Sequence, residues 1–187
     1  MIENIFTTPL YYDITDGEKL KNIQSEISNC IDKIKIDYND DWGKTHQLSS
    51  LSDNVIDQYN LSHLKNHIDE HFHKYLDGIF YSGKRQYRME SWIAVFNPND
   101  YGHQHDHGNA DISGVYYYKS SINDGDIVFY NPTVQADIST VFMGSTWKHK
   151  PEAGKMLMFP GYVRHEVQRN QTNDVRISLS WNIFINK

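Results

Sequence analysis

YRMESWIAVFNPND, residues 87–100, is where this chain changes its periodicity. Trp92 to Phe96 form a short apolar run rich in β-formers, and Asn97-Pro98-Asn99 ends it with a strong turn signal. The same grammar then repeats. ISGVYYYK (112–119), DGDIVFYNP (124–132), STVFMG (139–144), KMLMFPG (155–161) and VRISLSWNIFI (175–185) are each short and bounded by Gly, Pro, Asn or Asp. No crossover helix lies between them, so they predict an antiparallel barrel or sandwich rather than βαβ units.

Upstream the spacing is helical. In GEKLKNIQSEISNCIDKIKID (17–37), Leu20, Ile23, Ile27, Cys30, Ile31 and Ile34 define one face, with Asp16 placed to cap the helix. A second helix is predicted over 61–77, with Leu61, Leu64, Ile68, Phe72, Tyr75 and Leu76 inward and Gly78 as its stop. The polar, turn-rich segment 38–54 between them reads as a loop. The architecture expected is mainly β: two N-terminal helices packed on one face of a jelly-roll double sheet. The whole chain, 1–187, reads as one domain, with 1–80 a helical support region and 87–187 the β core.

Composition narrows the partners. The chain carries 18 basic and 24 acidic residues, a net charge of -6 with no basic cluster, which argues against nucleic acid as a partner. A single cysteine, Cys30, excludes an internal disulfide and a Cys-built metal site. The opening MIENIFTTPLYY lacks the pattern of a signal peptide, and no apolar run has the length of a membrane span. A cytoplasmic location is the expectation. Oligomeric state is not legible.

Chemistry concentrates in YGHQHDHGNADISG, residues 101–114. Residues two apart on a strand share a face, so His105 and His107 are expected to point together and Asp106 away. A third ligand must come from a neighbouring strand, and His165, just past the Pro160-Gly161 turn, is the best placed. Three imidazoles suit Zn, Fe or Ni, and an open coordination position makes such a site catalytic. A different backbone twist could present Asp106 beside one histidine instead. His103 is read as flanking the site or orienting a ligand. His46, His73 and His149 are read as ordinary hydrogen-bonding histidines. His63, His67 and His71 recur every four residues on one helical face, where they could bind a metal pairwise. No HExxH motif accompanies them, so their reading is structural.

Arg176 sits inside a strand whose other residues read as core. A buried arginine needs a partner, and its planar fork matches a carboxylate. None is adjacent in sequence, which points to a small-molecule acid held by Arg176 and, from the same face, by Ser178. An internal salt bridge to a distant acid is the rival. Tyr116, Tyr118 and Trp181 are candidate pocket lining.

HDHGNADISGVYYY (105–118), DIVFYNP (126–132), GKMLMFPGYVRHEV (154–167) and VRISLSWNIF (175–184), with IFTTPLYY (5–12) and ESWIAVFN (90–97), together resemble a known family. It is the small, largely uncharacterised group of 2-oxoglutarate- and iron(II)-dependent oxygenases found in bacteria and phages. The resemblance implies a double-stranded β-helix. It matches His105, His107 and His165 to the iron ligands and Arg176 to the residue gripping the distal carboxylate of 2-oxoglutarate. Where the broader superfamily has His-X-Asp, this chain has His107 in the Asp position. The implied activity is a dioxygenase that couples oxidative decarboxylation of 2-oxoglutarate to hydroxylation of a substrate, such as a peptide or metabolite, with dioxygen as cosubstrate. The alternatives are a cupin-like metalloenzyme that does not use 2-oxoglutarate, a non-catalytic jelly-roll binding module, or a structural protein.

Overall fold

The computed structural model describes residues 7–51, 53–79, 83, 85–121, 123–133 and 144–186. Its spine is a pair of ten-residue strands, β4 (Tyr87–Phe96) and β11 (Arg176–Ile185), antiparallel along their whole length from Arg176 opposite Phe96 to Ile185 opposite Tyr87. Around them runs a seven-stranded sheet in the order β1 (Tyr11–Ile14), β9 (Lys155–Pro160), β6 (Ile112–Lys119), β11, β4, β3 (Gln47–Leu48), β2 (Asp37–Tyr38). A four-stranded sheet faces it, ordered β5 (Gly102–His105), β10 (His165–Val167), β7 (Ile127–Tyr130), β8 (Thr146–His149).

The large sheet is covered on both sides, and β9 shows why its sequence is apolar without interruption. Met156 and Met158 join a core with Ile23 and Ile27 of α1 (Gly17–Ser28) and with Leu64, Ile68 and Phe72 of α3 (Ser62–Gly78). Leu157 and Phe159 point the other way and pack with Ile127 and Phe129 of the small sheet and with Val163 of the turn that leads into it. A strand buried on both faces loses the polar–apolar alternation that marks a half-buried one.

Several expectations need correction. Asp16 occupies the N-cap position of α1 but makes no side-chain capping bond. That helix ends at Ser28, and Ile31–Lys33 form a separate 3-10 turn, although Ile34 still reaches the core. Gly78 is the last helical residue rather than the first beyond it. The segment predicted as loop holds the end of β2, a 3-10 turn over Asp40–Trp42 and β3, and is followed by the one-turn α2 (Val55–Gln58). Two-residue strands are too short to register in any periodicity. Of the predicted strand STVFMG, residues 139–143 lie outside the described residues. No described helix is long and apolar enough to cross a membrane.

Gly114 marks the tightest packing on the helix side of β6. A Cβ there would stand 2.4 Å from the buried Trp181 ring, whose neighbours leave it nowhere to go. Gly114→Ala is therefore expected to destabilise the fold by about 1–3 kcal/mol, seen as a lower Tm of roughly 2–4 °C per kcal/mol. An unchanged Tm would mean that Trp181 is not wedged there.

Candidate metal centre and acid-binding cavity

His165 opens β10, where it is the register partner of His105 on β5 on one side and of Phe129 on β7 on the other. His105 is the last residue of β5, so strand alternation does not reach His107. A turn does that work instead. The His107 N–H donates to Gly161 O (2.9 Å), and Asp106 folds outward, its Oδ1 accepting from Gly108 N (3.0 Å). Asp106 is exposed and stays out of the histidine cluster.

The three rings converge. One nitrogen of each of His105, His107 and His165 lies within 4.8 Å of the other two, and His107 Nε2 is 3.3 Å from His165 Nε2. Carbonyl oxygens only accept, so the 2.7 Å contact of His105 Nδ1 with His103 O and the 2.9 Å contact of His165 Nδ1 with Val163 O put the proton on Nδ1 in both rings. Their Nε2 lone pairs are left pointing inward. Burial, reinforced by the neighbouring imidazoles, pushes His107 down to about 3 and His165 well below the usual imidazole value, while burial lowers His105 too. The rings are therefore neutral at pH 7. In the metal-free protein His107 Nε2 and His165 Nε2 share a hydrogen bond at 3.3 Å, and a cation bound between the three rings would take its place. Adjacent ligands at about 2.0–2.2 Å from one ion are separated by about 3.0–3.4 Å, which the 3.3 Å contact matches. The donor set fits a divalent transition metal.

Aromatic rings wall the cluster. Trp42 meets His105 edge-on at 4.6 Å, Trp92 stacks near His107 at 5.7 Å, and Phe159 lies against His165 at 4.8 Å. His103 is exposed and outside the cluster, but its carbonyl orients His105. His46, read from the sequence as an ordinary histidine, is buried in the cavity wall, stacked on Phe96 at 4.6 Å with planes 4° apart.

The same cavity, about 220 Å³, is lined by all three histidines and by Arg176 and Ser178. Arg176 is 1% exposed. Its Nη1 donates to Gly125 O (2.8 Å), and its guanidinium lies 5.0 Å from the Phe96 ring and 4.9 Å from the Tyr117 ring. Nε has no partner, and among the described residues no carboxylate comes within ion-pair distance. Among the described residues the rival internal salt bridge is not formed.

Tyr116, Tyr118 and Trp181 are not brought to this cavity. All three pack on the opposite, helix-side face of the large sheet. The register between β6 and β11 runs unbroken from Ile183 opposite Ile112 to Ser178 opposite Tyr117, and shifts only beyond that pair, at Ile177. Tyr117, which sequence reasoning passed over, is therefore the tyrosine on the Arg176 side, with its hydroxyl buried and unpartnered. Its identity as the middle one of three consecutive tyrosines carried no signal without that register.

Comparison with known proteins agrees with the geometry. A family model described as "Putative 2OG-Fe(II) oxygenase" matches residues 90–182. A search of the curated proteins finds no match. Among solved structures, a Pseudomonas putida prolyl-4-hydroxylase superposes with a TM-score of 0.63 at 15% identity, covering 95% of this chain and 92% of that one. A prolyl hydroxylase from Trichoplax adhaerens, in complex with a hypoxia inducible factor oxygen degradation domain peptide fragment, gives 0.66 at 11% identity over 95% and 83%. HygX from Streptomyces hygroscopicus, with nickel and 2-oxoglutarate bound, gives 0.63 at 10% identity over 95% and 83%. At these identities the structures speak for the fold alone, the double-stranded β-helix. The matched residues run from the strand before the histidine turn to the strand that carries Arg176, and this stretch is a domain of the 2OG-Fe(II) oxygenase family.

Proposed function

We propose that this protein is a 2-oxoglutarate-dependent iron(II) dioxygenase that hydroxylates a peptide or metabolite, the whole chain acting as one unit with 1–80 as support and 87–187 as the reaction core. One observation carries the reading: three neutral imidazoles and a buried guanidinium, with no carboxylate partner among the described residues, line the same small cavity. A cupin-like metalloenzyme accounts for the histidines but leaves Arg176 without its acid.

In this reading His105, His107 and His165 hold iron(II) through Nε2, leaving positions open to the cosubstrates. Bound iron(II) with 2-oxoglutarate and dioxygen supplies oxidative decarboxylation coupled to oxidation of a C–H bond. Arg176 holds the distal carboxylate of 2-oxoglutarate, with hydrogen bonds from the Ser178 and Tyr117 hydroxyls, both buried. Trp42, Trp92 and Phe159 exclude water around the histidines and strengthen every electrostatic contact among them. The carbonyls of His103 and Val163 fix the ring orientations of His105 and His165.

The test is anaerobic calorimetry with metal analysis. Wild-type protein is expected to bind 2-oxoglutarate at least ~10-fold more tightly with Fe(II) or Mn(II) than without, which asks only about 1.4 kcal/mol of the contact to the metal. His107→Ala/His165→Ala is expected to lose one equivalent of metal and that metal-dependent affinity. Metal-independent binding in the wild type, or full metal retention in the variant, would overturn the assignment.

A further inference from the structure

We propose that Asp13 on β1, with His67 and His71 on α3, forms a second metal site, taking a zinc-class divalent ion that ties the edge strand to the helix. It stands apart from the cavity above and does not depend on the oxygenase reading.

His67 and His71 are one turn apart on the same face of α3, both buried, with ring centroids 4.3 Å apart. Asp13 Oδ2 lies 3.7 Å from His67 Nε2 and 3.7 Å from His71 Nε2. That is too long for a hydrogen bond to either ring. A carboxylate oxygen seeking a hydrogen bond would close on one nitrogen, whereas this one is equidistant from two. Ligands at zinc distances and tetrahedral angles sit about 3.3–3.4 Å apart, so a contraction of a few tenths of an ångström completes the site. Among the described residues no lysine or arginine comes within ion-pair distance of Asp13.

The surrounding groups suit a ligand role. The Tyr11 hydroxyl is 2.6 Å from His71 Nδ1, and by accepting that N–H it leaves the Nε2 lone pair free. Thr15 Oγ1 lies 2.9 Å from His67 Nε2 and is its hydrogen-bond partner in the metal-free protein, so the ion would take the hydroxyl's place on that nitrogen. Burial keeps both rings neutral, His67 being pushed down to about 4 and His71 in the same direction. Glu70 is not part of the set, because Lys19 at 3.0 Å and Lys74 at 2.6 Å already hold its carboxylate. The consequence is structural: β1 is four residues long and, among the described strands, pairs with β9 alone, and the ion would fasten it to histidines more than fifty residues away in sequence.

Metal-free full-length protein, loaded with Zn(II) or Co(II) alone, desalted and analysed for metal per chain, tests this, with circular dichroism reporting the fold. Wild type is expected to hold two equivalents, Asp13→Asn one, and His107→Ala/His165→Ala one. Wild-type stoichiometry in a folded Asp13→Asn would overturn the proposal. Should Asp13→Asn fail to fold, the double variant decides: one equivalent upholds the site and none overturns it. A single wild-type equivalent that survives His107→Ala/His165→Ala but not Asp13→Asn would uphold this site and remove the oxygenase centre instead.

Discussion

In Arg176→Met, 2-oxoglutarate affinity measured anaerobically in the presence of Mn(II) is expected to fall by ~30-fold or more, with metal content unchanged. Truncating one partner of a buried, hydrogen-bonded charge pair costs about 2–5 kcal/mol, and the lower end of that range is already ~30-fold. The second readout separates a ligand clamp from a structural arginine. In the free protein this guanidinium is desolvated, with one carbonyl and two aromatic rings in place of a carboxylate. A buried charge in that state contributes little to stability, and an apolar side chain of similar volume is often tolerated or better. The ligand-free Tm of Arg176→Met is therefore expected to stay within a few degrees of wild type. The stabilisation that saturating 2-oxoglutarate gives the wild type should vanish in the variant. A large drop in the ligand-free Tm with affinity intact would make Arg176 a fold residue and leave the cavity without its acid.

What the sequence disclosed depended on the range of the interaction. The helical faces and the β runs were readable because each element's burial pattern is local, and the buried residues predicted for α3 are all in the core. His105, His107 and His165 could be grouped because strand alternation and a Pro-Gly turn narrow where a side chain points. The mechanism behind one member was different, since His107 lies beyond β5 and is held by a turn against Gly161. Choosing among Tyr116, Tyr117 and Tyr118 failed for a non-local reason: only the pairing of β6 with β11, which sets Tyr117 opposite Ser178, shows which of them shares a face with Ser178. Asp13 was equally out of reach, because only the packing of β1 against α3 brings it within 3.7 Å of histidines more than fifty positions on. His46 looked ordinary for the same reason; the stack on Phe96 is a tertiary fact.

The neutral imidazoles also make the metal-free protein sensitive to acid. Burial holds His46 and His67 down to about 4 and His107 down to about 3, and lowers His105 and His165 in the same direction, against about 6.5 for an exposed ring. Above pH 6.5 folded and unfolded chains carry these rings equally neutral, so their packing contributes in full. Below it the unfolded chain takes up protons that the folded one refuses, and stability falls with pH by up to ~1.4 kcal/mol per unit for each ring. Carboxylates, Glu70 first among them because its lysine partners hold it down to about 2, begin to enter only near pH 5, so the histidines dominate the upper part of the interval from 6.5 to 4.5. In that interval the Tm of metal-free protein is expected to drop steeply, and His107→Gln should show a shallower slope than wild type. A Tm that holds level from pH 6.5 to 4.5 would mean that the rings accept protons where they stand, as solvated histidines do, and the convergence of lone pairs on which metal binding rests would be gone.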